Sequence, residues 1–188
     1  MWVNQHLRMS LTPLQKIPAI IKYGFINTKF GRILIGLTPI QKAGKSCDAI
    51  CLLNFVQNDD DESFEEMRQR WPKAELKQDA VAIEMCSKVV FDEKENAAVI
   101  DIAIRGTDLQ LSVWNELVKL KSGSTCTYSE LAELVDRPKA VRAVASAVAR
   151  NPVTILIPCH RIVSKNGALK YHWGAELKSA LLDYEAFT

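Results

Sequence analysis

The chain has 188 residues, a formal net charge of +2 and 48% hydrophobic residues. A typical domain has about 100–150 residues, so this length suits one or two domains and excludes a large multidomain assembly. The composition is that of a folded protein, and the small net charge, with a pI of about 8.2, argues against a nucleic-acid-binding protein, which usually carries a strong basic excess.

The expected compartment follows from two features that the sequence lacks. No segment approaches the roughly 18 consecutive apolar residues that cross a bilayer, and residues 1–19 lack the apolar run and cleavage pattern of a secretory signal. We therefore expect an intracellular protein with no membrane partner. An odd number of irregularly spaced cysteines then predicts reduced thiols; they are Cys47, Cys51, Cys86, Cys126 and Cys159.

The first half of the chain alternates strand-like and helix-like patterns. Alternating apolar residues around Thr28, Lys29 and Gly31 predict a strand hairpin over 23–37. An acidic run at 59–62 is typical of a helix N-terminus. Further elements are predicted as a strand over 48–56, a helix ending before Pro72, a helix over 80–91 and a strand over 97–104. Residues 23–105 thus predict an α+β unit with about four strands and two helices.

The second half is mainly helical in pattern. Thr127 and Glu130 match a capping box, and residues 128–149 resemble a helix-turn-helix. The β-branched run 153–157 predicts a buried strand, and Asn166-Gly167 predicts a hairpin. Helices are predicted over 109–120, 128–135, 138–149 and 175–186, the last with Leu177, Leu181 and Leu182 on one face. A helix-turn-helix followed by a hairpin indicates a winged-helix arrangement.

The sequence Pro158-Cys159-His160-Arg161 directly follows the predicted strand. Proline cannot donate a ladder hydrogen bond, so strand pairing should stop there and the thiol can turn into a cleft. A nucleophilic cysteine must ionise, and a free thiol has a pKa of about 8.5, so it needs a nearby base or positive charge. Because neighbouring residues of an extended chain point to opposite sides, we expect His160 to act on Cys159 through a water or after a local turn.

A carboxylate is needed to hold the histidine in one tautomer, and the last helix offers Glu176, Asp183 and Glu185. The alternative interpretation is that Cys159 is an unreactive core residue.

Metal binding is a second open alternative. Cys47 and Cys51 could bind zinc with Cys86 or His6, although no Cys-x-x-Cys pair and no nearby His-x₃-His pair supports such a site. The acidic run 59–62 could likewise bind a metal instead of only capping a helix.

The helix predicted over 138–149 carries Lys139 and Arg142, with Arg150 just after it, among residues that are nearly all Ala, Val or Ser. Small side chains let a helix approach another molecule closely; packing inside the core is the alternative. Residues 137–170 contain seven Lys or Arg and no Asp or Glu, a local charge that attracts a phosphate backbone. The small net charge therefore does not exclude DNA, and we expect modest, salt-sensitive affinity.

Several segments resemble the O6-alkylguanine-DNA alkyltransferases, the methylated-DNA–protein-cysteine methyltransferases. They are TYSELAELVDRPKAVRAVASAVARNP, ILIPCHRIV and YHWGAELKSALLDYE, and with YGFINTKFGRILIG and IAIRGT the likeness covers residues 22–187. The details are most similar to the C-terminal half of the bacterial adaptive-response type. The segment HLRMSLTPLQ resembles the end of the regulatory DNA-binding domain of that type.

The resemblance implies an α+β fold in three parts. An N-terminal extension at 1–21 precedes a small mixed α/β domain of the ribonuclease H-like kind at 22–105 and a winged helix-turn-helix domain with the active-site cysteine at 106–188. The implied function is direct-reversal repair of double-stranded DNA that contains O6-alkylguanine, and also O4-alkylthymine. After base flipping, the alkyl group is transferred once and irreversibly to Cys159. The family implies no metal or cofactor, a monomer, and the bacterial cytoplasm and nucleoid or the eukaryotic nucleus.

The resemblance also implies a role for each catalytic residue. Cys159 is the alkyl acceptor, His160 the base that activates it through water, and Glu185 the carboxylate that orients His160. Asn151 braces the active-site turn, and Tyr128 assists guanine as a leaving group and contacts DNA.

For DNA binding, the resemblance implies that Arg142 takes the place of the flipped nucleotide while its helix lies in the minor groove. The other implied DNA contacts are Lys139, Ala143, Ala145, Ser146 and Arg150, and the implied pocket residues are Pro158, Val153 and Tyr171. Lys170 stands where a small residue is common and the wing is shorter than in many members, which leaves the pocket size open. His172-Trp173-Gly174 replaces the double-glycine turn of some members.

Two other functions are compatible with this sequence. A noncatalytic lesion sensor or winged-helix regulator is the main alternative, but relatives of that kind usually carry tryptophan in place of the cysteine, so Cys159 disfavours it. A Cys-His hydrolase would need an oxyanion hole, for which the sequence gives no sign.

Overall fold

A computed structural model describes residues 8–91 and 99–187. The chain divides into two compact units, Met1–Arg105 and Gly106–Thr188, and the fold is mixed α/β. His6, the rest of the extension before residue 8, and the first two residues of the strand predicted over 97–104 lie outside the described residues. No helix within these ranges is long and apolar enough to cross a membrane.

The first unit contains a mixed six-stranded sheet with the strand order β1-β6-β4-β3-β2-β5. The strands are β1 (Arg8–Pro13), β2 (Ile20–Thr28), β3 (Gly31–Lys42), β4 (Lys45–Phe55), β5 (Glu75–Gln78) and β6 (Val99–Ile104). β2, β3 and β4 form an antiparallel meander, whereas β6 pairs in parallel with β4 and β1, and β5 pairs in parallel with β2. The segment assigned to an N-terminal extension therefore contributes an edge strand to this sheet.

The predicted hairpin is present, because Thr28 pairs with Gly31 across a two-residue turn. Gly31 has φ of 127°, a conformation that disfavours other residues. The sequence did not predict β5, because its four residues are mostly exposed and lack strand alternation.

Two helices pack on this sheet, α1 (Asp60–Arg70) and α2 (Ala80–Phe91). The acidic run acts as a helix N-terminus: Asp59 is the N-cap and accepts a hydrogen bond from the Glu62 amide at 2.8 Å. Met67 of α1 and Trp71 join the core cluster that the sheet provides. Across residues 8–91 and 99–187, no group of three His, Cys, Asp or Glu side chains is arranged to hold a metal ion.

The second unit combines four helices with a two-stranded parallel sheet. The helices are α3 (Asp108–Leu117), α4 (Tyr128–Leu134), α5 (Val141–Ala149) and α6 (Ala175–Ala186); the strands are β7 (Cys126–Thr127) and β8 (Ile162–Val163). The predicted capping box of Thr127 and Glu130 starts α4. The buried Trp114 of α3 donates a hydrogen bond from Nε1 to the Ala147 carbonyl at 3.0 Å, which fixes α5 against α3.

The strand predicted over 153–157 is wrong. These residues are buried but form a series of tight turns, in which the Ile157 amide donates to the Val153 carbonyl at 2.9 Å and Ile155 has φ of 74°. Burial accounts for the apolar residues of this run. Apart from a single bridge at Val153, its backbone bonds are turn bonds and bonds to the Asn151 side chain, so the run does not pair as a strand.

The predicted hairpin at Asn166-Gly167 is also wrong, although a turn is present. The Gly167 amide donates to the Ser164 carbonyl at 3.0 Å, and the Asn166 side chain accepts from the Ala168 amide at 3.3 Å. Residues 164–174 contain no strand. The only strand pairing of this region joins β8 to β7.

Candidate active site and DNA-binding surface

A single 3-10 turn, Cys159–Arg161, carries the central residues of the site. Asn151 fixes the chain leading into this turn through both ends of its amide. Its Nδ2 donates to the Ile157 carbonyl at 2.7 Å and lies 3.1 Å from Cys159 Sγ, while its Oδ1 accepts from the Val153 amide at 3.0 Å. The Asn151 side chain thus forms hydrogen bonds with backbone groups that would otherwise pair with a neighbouring strand, and it also contacts the thiol.

A buried histidine–carboxylate pair follows the cysteine. His160 Nε2 lies 2.8 Å from Glu185 Oε1, and both side chains are almost fully buried. Arg161 donates to both carboxylate oxygens of Glu185 at 2.8 Å, and it also donates to the Leu120 carbonyl. The Gly123 amide adds a further hydrogen bond to Glu185 at 3.3 Å. The carboxylate is therefore held by four donors from two segments, the Cys159–Arg161 turn and the chain around Gly123.

These contacts determine the charge states of the pair. Burial disfavours the Glu185 carboxylate, but hydrogen bonds from His160 and Arg161 outweigh it and lower the pKa of Glu185 to about 2. Burial lowers the pKa of His160, and this effect exceeds the opposing influence of Glu185. At neutral pH the pair is thus a carboxylate and a neutral imidazole. With Nε2–H directed at Glu185, His160 Nδ1 carries a lone pair; this buried atom has no hydrogen-bond partner in the described part of the chain.

Cys159 is 7% exposed, and burial raises the pKa of its thiol. Hydrogen bonding from Asn151 and Tyr171 and the charge of Lys178 oppose this increase. The Tyr171 hydroxyl is buried next to the thiol, and within residues 8–91 and 99–187 no group meets it with full hydrogen-bond geometry. The resting thiol is therefore protonated and needs a base.

Tyr128 is brought to the same region by backbone pairing. In the parallel pair of β7 and β8, Cys126 faces Ile162 and Thr127 faces Val163, so the start of α4 lies beside the chain that leaves the Cys159 turn. Tyr128 is half-buried, and its pKa is raised mainly by burial and secondarily by the charge of the nearby Cys159. Its hydroxyl is accordingly protonated at neutral pH.

The helix predicted over 138–149 begins at Val141 and presents two different faces. Val144, Ala147 and Val148 are buried in the unit. The opposite face is formed by small or basic residues: Arg142, Ala143, Ser146, Ala149 and Arg150 are exposed, and Ala145 is half-buried. Lys139 is exposed in the turn before the helix. The small residues therefore do not all pack in the core, and most form an accessible, positively charged surface.

The structure brings Asn151, Cys159, His160, Glu185 and Tyr171 into one buried cluster. Val153 and Pro158 are also buried in the segment leading to the thiol. Of the three carboxylates offered by α6, Glu185 contacts His160, whereas Glu176 and Asp183 are exposed.

Sequence reasoning missed two functional contacts. The sequence pattern assigns no carboxylate contact to Arg161 and no role to Lys178. The leucine spacing identified only part of the buried face of α6, because Lys178, Leu181 and Glu185 are buried, whereas Leu177 and Leu182 are half-buried. Two ionisable residues seven positions apart on an otherwise apolar helix face indicate buried polar contacts, because such residues are rarely buried without partners.

Comparison with known proteins gives concordant results. Residues 108–187 match the family model described as 6-O-methylguanine DNA methyltransferase, DNA binding domain. The inducible methylated-DNA–protein-cysteine methyltransferase of Bacillus subtilis is 39% identical over 129 residues, which are 66% of this chain and 72% of that protein. The Escherichia coli bifunctional transcriptional activator/DNA repair enzyme Ada is 34% identical over 170 residues, covering 88% of this chain but only 46% of Ada.

Solved structures agree with the sequence relatives. The crystal structure of Mycobacterium tuberculosis O6-methylguanine methyltransferase matches with a TM-score of 0.64 and 26% identity, covering 89% of this chain and 94% of that one. The same enzyme in complex with DNA matches with a TM-score of 0.63, covering 88% of this chain and 93% of that one. The chain belongs to the methylated-DNA–protein-cysteine methyltransferase family.

Proposed function

We propose that this protein repairs DNA by transferring the alkyl group of O6-alkylguanine to Cys159, once and irreversibly. The observation that carries this proposal is the buried Cys159 thiol, which lies next to a neutral histidine that a carboxylate holds in one tautomer. A base of this kind can remove the thiol proton through a water between Nδ1 and Sγ, while Glu185 stabilises the imidazolium that forms.

The chemistry is a single displacement. The Cys159 thiolate forms an S–C bond with the alkyl carbon as the C–O6 bond breaks, and the electron pair remains on guanine. The leaving guanine takes a proton from the Tyr128 hydroxyl, which is protonated at rest because of its raised pKa. The Cys159 proton on His160 can then pass to the tyrosinate, which restores both groups. The product is a thioether without a good leaving group, so turnover ends after one event.

Access to the lesion requires the base to leave the stack. An alkyl group on O6 lies inside the duplex, and flipping costs a few kcal/mol. The exposed face of α5 supports this step, because Ala143, Ser146 and Ala149 permit close approach to a groove and Arg142 can fill the space of the flipped nucleotide. Lys139 and Arg150 are exposed, and we expect them to contact phosphates. We extend the proposal to O4-alkylthymine, whose alkyl group is attached in the same way.

The finer fold assignment is part of this proposal. The pair α4 and α5 supports a helix-turn-helix, and we describe the second unit as a winged-helix variant whose wing lacks a hairpin. We describe the mixed sheet of the first unit as ribonuclease H-like. We expect a monomer that acts in the compartment that contains DNA, whether nucleoid or nucleus.

The test is a stoichiometric transfer assay with a duplex that contains O6-methylguanine. The expected result is one methyl group per protein, found on the peptide that contains Cys159. The Cys159→Ser variant should transfer none, whereas Cys126→Ser, which alters another buried thiol of the same unit, should transfer normally. Equal protection of lesions by Cys159→Ala would favour a noncatalytic lesion sensor instead, and more than one turnover would favour a hydrolase.

A further inference from the structure

Lys178 is an unexpected residue in the core of the second unit. It is 1% exposed and lies on the buried face of α6 with Leu181 and Glu185. A buried lysine is costly unless its amine is well bonded. Its burial beside the reactive cluster therefore requires an explanation.

The amine of Lys178 bridges two segments that are eight residues apart. Nζ donates to the Ile162 carbonyl, in the first residue after the Cys159–Arg161 turn, and to the Lys170 carbonyl at 3.0 Å, immediately before Tyr171. Nζ also lies 5.9 Å from the centre of the Tyr171 ring. One side chain thus fixes the exit of the cysteine turn to the segment whose tyrosine lies beside the thiol.

The charge of Lys178 also acts on the reactive groups. The titratable groups that face it are Cys159 and His160 from the turn and Tyr171 from the following segment. Its charge lowers the pKa of Cys159 and that of His160. Both effects favour a thiolate beside a neutral base. Asn151 contacts the sulfur more directly, but its amide carries no net charge.

We propose that Lys178 is a positioning residue for the alkyl transfer: it holds the Cys159 turn and the Tyr171 segment at a fixed separation and places a positive charge beside the sulfur. This inference rests on the proposed function, because the thiolate it supports is the nucleophile of that reaction. Lys178 acts through Cys159 and Tyr171 and need not touch the substrate.

The experiment measures the pH dependence of Cys159 reactivity with iodoacetamide, read on the Cys159 peptide by mass spectrometry, together with single-turnover methyl transfer. Lys178→Met removes the charge and both donors at similar length, whereas Lys178→Arg keeps a charge and several donors. Lys119→Met is the matched control, because it removes an exposed lysine from the same unit. Circular dichroism verifies that each variant is folded.

For Lys178→Met we expect the reactivity profile of Cys159 to move up by about one pH unit and methyl transfer to slow by about tenfold or more. Lys178→Arg should recover most of both, and Lys119→Met should match the wild type. An unchanged pH profile of Cys159 reactivity in folded Lys178→Met would overturn the proposal. So would an equal loss of methyl transfer in Lys178→Met and Lys178→Arg without a shift of that profile in either variant. If Lys178→Met does not fold, Lys178→Gln, which keeps donors without the charge, is measured, and an unshifted profile overturns the electrostatic role. If the wild type transfers no methyl group, the proposed function fails, while the iodoacetamide profile still tests Lys178.

Discussion

The pair formed by Arg161 and Glu185 allows a quantitative prediction for the variant Arg161→Met. In the folded protein the pKa of Glu185 is lowered from 4.5 to about 2, and each pKa unit corresponds to about 1.4 kcal/mol. The interactions of this carboxylate therefore contribute about 3 kcal/mol to stability, to order of magnitude. Because removing one partner of a buried pair leaves an uncompensated charge, we expect Arg161→Met to lose about 3 kcal/mol at pH 7. This loss is at the lower end of the range usual when one partner of a buried ion pair is removed, because His160 and Gly123 still bind the carboxylate.

The loss should depend on pH in a defined direction. The folded pKa of Glu185 is below its unfolded value, so its contribution is fully present above about pH 4.5 and disappears as the pH falls through about 2. The stability difference between the wild type and Arg161→Met should therefore be largest at neutral pH and shrink on acidification.

The assay must report the second unit separately. Pulse labelling of thiols in increasing urea at pH 7 does so, because Cys126 is buried in the second unit and Cys51 in the first. In Arg161→Met the labelling midpoint of Cys126 should fall, while that of Cys51 stays at its wild-type value. Urea unfolding followed by circular dichroism at pH 3 and pH 7 then measures the pH dependence. An unchanged Cys126 midpoint, or a loss that grows toward low pH, would refute the reasoning.

Three further outcomes are expected. Asn151→Ala leaves the buried Val153 amide and Ile157 carbonyl without their partner, so urea unfolding should show a loss of about 2–4 kcal/mol; a loss below about 1 kcal/mol would show that the turn repacks. Ser146→Leu should weaken binding to duplex DNA by about tenfold or more, because a bulky side chain holds α5 away from the groove, whereas the control Ala186→Leu, also at an exposed position, should bind like the wild type. Lys139→Ala should reduce the slope of log affinity against log salt by about 0.9 if it contacts one phosphate, and a slope equal to that of the wild type would place it away from the backbone.

Local patterns predicted much of the fold. The acidic run before α1, the capping box before α4 and the turn at Gly31 each depend on residues within a few positions, and each occurs where the sequence indicated. The strand prediction for residues 153–157 was wrong because the composition of this run indicates burial but not pairing with another strand. The Asn151 side chain forms the hydrogen bonds that a neighbouring strand would form, and this role can be recognised only once the path of the turn is known.

The candidate site was less predictable than the helices around it. The Cys-His pair is contiguous, but the choice of Glu185 over Glu176 and Asp183 depends on how α6 is rotated about its axis. The bonds from Arg161 and Lys178 depend on carbonyls that no sequence pattern marks, at Leu120, Ile162 and Lys170. Such contacts become visible only when distant segments are placed together.

The short parallel pairing of β7 with β8 has a consequence for how sequences of this family can vary in length. A slip of one residue in this pairing would displace Tyr128 relative to Cys159 by about 3.3 Å, whereas a misplacement of about 1 Å already impairs catalysis. Insertions and deletions should therefore be absent between Cys126 and Tyr128 and between Cys159 and Val163 in active relatives. The exposed residues 165–167, which lie outside this pairing, can change length with little effect on the alignment of the two reactive groups.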